Sequence, residues 1–284
     1  MTSSPQCIVC GSDAGRPLYR VLRRCEQCGM VWAPLSLTSG DLQRLYDEGY
    51  FKGEEYVNYI EDRPFLEKNF RLRLGTLQRY LTPEHRRCLE IGCAYGFFLH
   101  AAREHFTHVE GVDISEAAVR YARQALGVNA RAGDFLTMDF QGTFDVVCLW
   151  DTIEHLARPD LYIQKAASLL RAGGLIALTT GDIGSRIARR RREKWRMIHP
   201  PTHLYYFSRA TLRRLLDRFG FEVAHEEACG FYRSFSNVAY NIFALRWNKP
   251  GLYRFAERLL SLSGVRGFYF NAGDIMYLIG RRRP

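Results

Sequence analysis

The sequence predicts an α/β fold, a doubly wound sheet of parallel strands with a small cysteine-knuckle module ahead of it, and three observations carry that expectation. The stretch Arg87-Cys-Leu-Glu-Ile-Gly-Cys-Ala-Tyr-Gly96 joins a short apolar run, Cys88 to Ile91, to a glycine loop that feeds a helix. Gly111-Val112-Asp113 reads as the next parallel strand, ending on a carboxylate well placed to take two hydrogen bonds from a ribose diol. Cys7-Ile-Val-Cys10-Gly and Cys25-Glu-Gln-Cys28-Gly form two short Cys-x-x-Cys knuckles.

Each knuckle is followed by a glycine that lets the turn bring both thiolates onto one ion, so residues 1–35 are predicted to be a zinc ribbon with Cys7, Cys10, Cys25 and Cys28 as ligands. Four thiolates leave no open coordination position, which makes the zinc structural rather than catalytic. Two redox-cycling cysteine pairs are the alternative reading of the same spacing. Residues 36–80 are a helical lead and candidate active-site cover: Phe65, Leu66, Phe70, Leu74, Leu77 and Leu81 recur at near helical spacing. Tyr46, Tyr50, Phe51 and Tyr56 either pack against the sheet or line a pocket, packing being the commoner use of an aromatic ring.

Residues 81–284 hold the main domain. After the glycine loop come Gly133-Asp134-Phe135, the apolar strand Phe144 to Trp150, and Leu170-Arg-Ala-Gly-Gly-Leu-Ile-Ala-Leu-Thr179 as a helix end, glycine turn and strand. Arg209 to Gly220 has the cap, period and terminal glycine of a helix, with Phe221 opening a strand and Ile275 to Arg282 forming the last one. Between those strands lies an aromatic-rich helical insertion, 229–274, suited to capping a pocket, packing a dimer or resting on a membrane surface.

Two polar clusters are candidates for chemistry. In Trp150-Asp151-Thr-Ile-Glu154-His155, a helical turn would present Asp151, Glu154 and His155 from one side as a divalent-ion site, magnesium included, or Glu154 and His155 would simply orient the loop. In Trp195-Arg-Met-Ile-His199-Pro-Pro-Thr-His203-Leu-Tyr-Tyr-Phe-Ser208, a stiff loop offers groups that titrate near neutral pH. His155 and His203 are candidate general bases, with His199 next.

Composition fits a cytoplasmic enzyme. Of 284 residues 47% are apolar, yet no run approaches the ~20 apolar residues of a membrane span. The start, Met-Thr-Ser-Ser-Pro-Gln, carries neither the basic region nor the apolar core of a secretory signal, and Cys88, Cys93, Cys148 and Cys229 sit in apolar stretches that suit a reducing compartment. The net charge of +10 gathers partly at Arg186, Arg189 to Arg192, Lys194 and Arg196, either a solvated face or an attractor of an anionic acceptor, a lipid surface or RNA.

In order, these blocks resemble class I S-adenosylmethionine-dependent methyltransferases. The resemblance implies a Rossmann-like seven-stranded sheet with an antiparallel last strand, and cofactor contacts from Glu90, Gly92, Ala94, Gly96, Asp113, Ile114, Asp134, Phe135 and Trp150. Ala94 stands where that family usually has its middle glycine. The Asp151, Glu154 and His155 spacing resembles the Glu-x-x-Glu-His triad of ubiquinone-biosynthesis and small-RNA methyltransferases, with Asp for the first Glu. Joined to the ribbon and the His-Pro-Pro-x-His loop, the whole is similar to bacterial zinc-ribbon methyltransferases of glycan and natural-product biosynthesis. That likeness implies O-methylation of a sugar or other small metabolite. RNA methylation and sugar C-methylation remain alternatives, the first without an Asn-Pro-Pro-Tyr motif and the second without the usual large C-terminal domain. A non-enzymatic binding protein with a vestigial cofactor site is a third, disfavoured by the retained Glu90, Gly92, Gly96 and Asp113.

Overall fold

The structure is a computed structural model that describes residues 6–46, 59–263 and 267–284; Tyr50, Phe51 and Tyr56 lie outside the described residues. The knuckles carry β1 (Gly15–Leu18), β2 (Leu22–Cys25) and β3 (Val31–Trp32), and two helices follow, α1 (Ser39–Leu45) and α2 (Arg63–Gln78). A capping box at Thr38 and Asp41 starts α1, while α2 opens with a proline in its first turn and buries Asn69, Phe70, Leu74 and Leu77 on one side.

The main sheet is then laid down by β4 (Arg87–Ile91), α3 (Phe97–Ala102), β5 (His108–Asp113), α4 (Glu116–Leu126), β6 (Asn129–Ala132), β7 (Phe144–Trp150), α5 (Pro159–Leu169) and β8 (Leu170–Gly181). Beyond it run α6 (Arg186–Arg191), β9 (Tyr205–Tyr206), α7 (Arg209–Arg218), β10 (Phe221–Ala228), β11 (Phe231–Ser234), α8 (Phe235–Ala239), a π turn over Tyr240–Arg246, α9 (Pro250–Ser263), β12 (Gly267–Phe270) and β13 (Ile275–Arg282). Seven strands pair in the order β10-β13-β8-β7-β4-β5-β6. β4 to β8 are parallel, and β13 enters antiparallel to both β8 and β10, as the resemblance implies.

Alternation along the buried strand β7 assigns its two faces. Val146, Cys148 and Trp150 pack with Phe98, Leu77 and Tyr277, and Val147 and Leu149 pack with Ile163, Leu212 and Phe207. Parallel strands covered on both sides read as continuous apolar runs for this reason.

Two expectations about domains need correction. The ribbon is not a separate appendage: β3 pairs with β9, Val31 against Tyr206 and Trp32 against Tyr205, giving a four-stranded sheet β1-β2-β3-β9. Cys7, Ile8, Met30 and Trp32 accordingly belong to the same buried cluster as Phe207 and Leu212 of the main domain. The insertion 229–274 is not purely helical either, since β11 and β12 pair antiparallel at its base and the helices rise between them. No helix among the described residues is long and apolar enough to cross a membrane.

Candidate active site

A cavity of about 740 Å³ opens at the C-terminal ends of β4, β5, β6 and β7, where open α/β sheets place their ligands, and its size falls within the ~300–1,000 Å³ of small-molecule sites. Gly92, Ala94, Asp113, Ile114, Gly133, Phe135 and Trp150 line it. Gly92 holds φ +78°, and a Cβ there would fall 2.6 Å from the Thr152 side chain, so only glycine fits. Ala94 also sits in the left-handed region, at φ +43°. In that conformation its amide donates to Asp113 Oδ2 at 2.7 Å, and the Ser115 amide donates to Oδ1 at 2.8 Å. Two backbone donors thus fix the carboxylate, and each oxygen keeps lone-pair capacity toward the cavity. Burial raises the Asp113 pKa, opposed by the amides of Ser115, Ala94 and Ile114.

Glu90 lies behind the loop, 2% exposed, with Oε2 lacking any hydrogen-bond partner. Burial first, then the nearby Cys88 and Asp113, push its carboxyl well above the usual range. The Asp113 carboxylate, fixed beside a glycine loop with lone pairs toward the cavity, fits the ribose of a nucleoside such as S-adenosylmethionine. Asp134 Oδ1 accepts from the Leu136 amide and the Tyr162 hydroxyl, both at 2.9 Å, while its neighbours Gly133 and Phe135 form the wall. Tyr162, a wall residue from α5, carried no signal in the sequence beyond its place on a helix.

Opposite the cofactor loop, three histidines converge. The ring centroids of His155 and His203 are 4.5 Å apart, and those of His199 and His203 are 3.9 Å apart. Their tautomers follow from what each Nδ1 faces. His155 Nδ1 lies 2.9 Å from the Thr202 carbonyl and His203 Nδ1 lies 2.9 Å from the Met197 carbonyl, and because a carbonyl only accepts, both nitrogens carry the proton. Thr202 Oγ1 donates to the His199 carbonyl, so its 2.6 Å contact with His199 Nδ1 is again donated by the ring. Each Nε2 is left as a lone-pair acceptor. Burial, outweighing the Thr202 carbonyl, lowers the His155 pKa to about 4, and burial with the two neighbouring rings holds His203 lower still, so both are neutral bases near pH 7. Tyr46 closes this side, its hydroxyl 2.7 Å from His155 Nδ1 and donating to the Thr202 carbonyl at 3.0 Å.

The expected metal triad is rearranged. Asp151 takes φ +48° and its carboxylate turns away, to Arg73 of α2 and to the Thr179 hydroxyl at 2.8 Å, while only Ile153–His155 form a short 3₁₀ turn. His203 replaces it: ligand atoms of Glu154, His155 and His203 all lie within 4.8 Å of one another. Both Glu154 oxygens are buried with no donor at hydrogen-bonding geometry, and burial followed by the Asp151 charge raises its pKa to about 8. Two imidazoles and one carboxylate suit a borderline ion and not magnesium, which takes hard oxygen ligands. Arg73, over the faces of Phe70 and Trp150, was not singled out in the sequence because nothing there places α2 at the end of β7.

In the knuckle module the thiols gather as expected. Cys7 Sγ is 3.4 Å from Cys28 Sγ, Cys10 Sγ is 3.5 Å from Cys25 Sγ, and all four lie within 4.8 Å. A tetrahedral Zn–S₄ centre with Zn–S of about 2.3 Å needs sulfurs about 3.8 Å apart, so this set fits zinc. The arginine run divides: Arg196 turns to Asp274 at 2.9 Å and lines the cavity, whereas Arg186 and Arg189 to Arg192 stay exposed.

Comparison with known proteins agrees with this geometry. A family model described as a methyltransferase domain matches residues 62–226, more than half of the chain, leaving the knuckles and the insertion outside. The ubiquinone biosynthesis O-methyltransferase of Coxiella burnetii is 30% identical over 116 residues, 38% of this chain and 49% of that protein. Its namesake from Parvibaculum lavamentivorans is 34% identical over 103 residues, 34% of this chain and 41% of that protein. The chain thus spans about half, or less, of the length of these curated relatives. Among solved structures, the YcgJ protein of Bacillus subtilis superposes with a TM-score of 0.55 at 14% identity, over 75% of this chain and 99% of that one. Magnesium protoporphyrin IX methyltransferase from Synechocystis, solved with bound SAH, gives 0.51 at 17% identity, over 87% and 95%. With the strand order, the glycine loop and the Asp113 carboxylate all in place, the family match settles the identity: the chain belongs to the methyltransferase-domain family.

Proposed function

We propose that this enzyme O-methylates a hydroxyl of a small molecule, a sugar or other glycosylated metabolite, with zinc held structurally by Cys7, Cys10, Cys25 and Cys28. The observation that carries the reading is the placement of neutral, Nε2-accepting histidines across one cavity from the cofactor loop. When bound, the cofactor supplies a methyl group activated on a sulfonium. The residues of this chain then align the acceptor oxygen and take its proton, His155 or His203 through Nε2 and His199 from beside them. The O-methyltransferase names of the curated relatives support the reaction type.

A second reading rests on the orphaned Glu154 carboxylate: Glu154, His155 and His203 would hold a divalent ion of the zinc, manganese or iron kind. Such an ion supplies Lewis acidity to a coordinated hydroxyl. Purified protein incubated with methyl-labelled S-adenosylmethionine and a fractionated bacterial lysate tests the acceptor class. Label in a small-molecule or glycan fraction that survives nuclease is expected, and label lost on ribonuclease treatment overturns it in favour of RNA. Metal analysis of protein passed over a chelating resin separates the two readings of the histidines.

A further inference from the structure

The segment 229–274 lies beyond the residues matched to the methyltransferase family, and its longest helix is turned the wrong way round for a soluble protein. Toward the protein α9 presents Tyr253 and Glu257, whose oxygens lie 3.2 and 2.7 Å from the Ser236 hydroxyl. Away from it stand Leu252, Phe255 and Leu259, which are 43%, 64% and 53% exposed. Their spacing of three and four puts them in one stripe. A surface helix ordinarily buries such a stripe and shows its charges to water.

The cations add a direction. Arg254 and Arg258 are exposed on the same helix, and Lys249 and Trp247 are exposed just ahead of it. The segment's own two acids stay off that face: Glu257 is taken by Ser236, and Asp274 is buried against Trp195 and Arg196. An apolar stripe edged by cations complements a surface that is anionic outside and apolar within. A second copy of the same face would set like charges against each other, and a nucleic acid would leave the stripe in water.

We propose that this segment docks the enzyme on an anionic lipid surface, with Leu252, Phe255 and Leu259 entering the headgroup–acyl boundary and Arg254 and Lys249 meeting lipid phosphates. The same segment walls the active-site cavity through Phe231, Val238 and Ile242, the last also 37% exposed. Docking therefore brings the cavity's apolar wall up to the membrane. The docking claim is independent of which acceptor is methylated.

Flotation of the full chain with vesicles tests it, using phosphatidylcholine alone and phosphatidylcholine mixed with phosphatidylglycerol. The protein is expected to float with the phosphatidylglycerol vesicles and to be released by salt. Phe255→Ser with Leu259→Ser should lower the partition about tenfold or more, with the melting temperature and cofactor binding unchanged, and Arg254→Ser with Lys249→Ser should erase the preference for anionic vesicles. Flotation of the apolar double variant at the wild-type level, or no flotation of the wild type on either vesicle, overturns the proposal. So does a wild-type dimer in sedimentation velocity that the same double variant dissolves while vesicle binding is absent, which would assign the face to self-association.

Discussion

The Ala33 amide donates to the Leu204 carbonyl at 2.8 Å, and the Leu204 amide in turn donates to the Glu154 carbonyl at 2.9 Å. Leu204 thereby ties the strand after the second knuckle to the turn that carries Glu154 and His155, one residue from His203. Roughly thirty residues cannot hold a fold without a staple, so the zinc proposed for the four thiols would secure this ladder. Stripping the metal is expected to abolish methyl transfer while S-adenosylhomocysteine still binds within about threefold, because the cofactor strands lie outside the ladder. Calorimetric titration of the stripped protein beside an activity assay checks this, and retained turnover without zinc would sink it.

Two positions of the cofactor loop should respond in opposite ways to a single methyl group. Gly92→Ala forces a Cβ to within 2.6 Å of the Thr152 side chain in a left-handed backbone and is expected to weaken cofactor binding at least about tenfold. Ala94→Gly relieves a left-handed alanine and is expected to keep affinity and leave stability unchanged or higher by up to about 1 kcal/mol. Equilibrium binding and thermal melting of both variants make the comparison.

His155→Ala and His203→Ala are each expected to reduce kcat by about 10²–10⁴ with little change in cofactor affinity, as loss of a general base does. With the His155 pKa at about 4, the acid side of the kcat profile should stay flat from neutral pH down to about 5. Unchanged turnover in both variants removes the histidines from the reaction.

Glu154 gives a pH dependence of stability with a definite sign. Its folded pKa, about 8, stands above the ordinary 4.5 because burial and the Asp151 charge favour the protonated form. The unfolded chain therefore releases this proton at lower pH than the folded one, and stability that is complete below about 4.5 is lost as pH rises toward 8. Glu154→Gln, which cannot ionise, should raise the melting temperature at pH 8.5 and leave it nearly unchanged at pH 5. Melting curves of metal-free protein at the two pH values measure it.

Short-range chemistry made much of this molecule readable from sequence. The glycine loop, Asp113 and the knuckles are each encoded within a few residues, and the central strands β7 and β8 announce themselves as apolar runs because both of their faces are covered, whereas β6, Asn-Ala-Arg-Ala, carries no such signal. The histidine cluster was half legible: His155, His199 and His203 were visible as titratable groups, but their shared orientation depends on the carbonyls of Thr202 and Met197. What stayed hidden is long-range. The ladder β3-β9 is two residues long on each side and has no periodicity to detect. Asp151 leaves the expected triad because a left-handed backbone and Arg73, far away in sequence, redirect it.

The antiparallel strand β13 lies between β8 and β10, with Met276 to Ile279 fully buried, although it follows both of them in the chain. During synthesis β8 and β10 are made first and must wait with unpaired edges until β13 arrives to fill the gap. Such edges invite pairing with another chain. Shielding of the growing polypeptide is thus needed most while the cap segment between β10 and β13 is still being made.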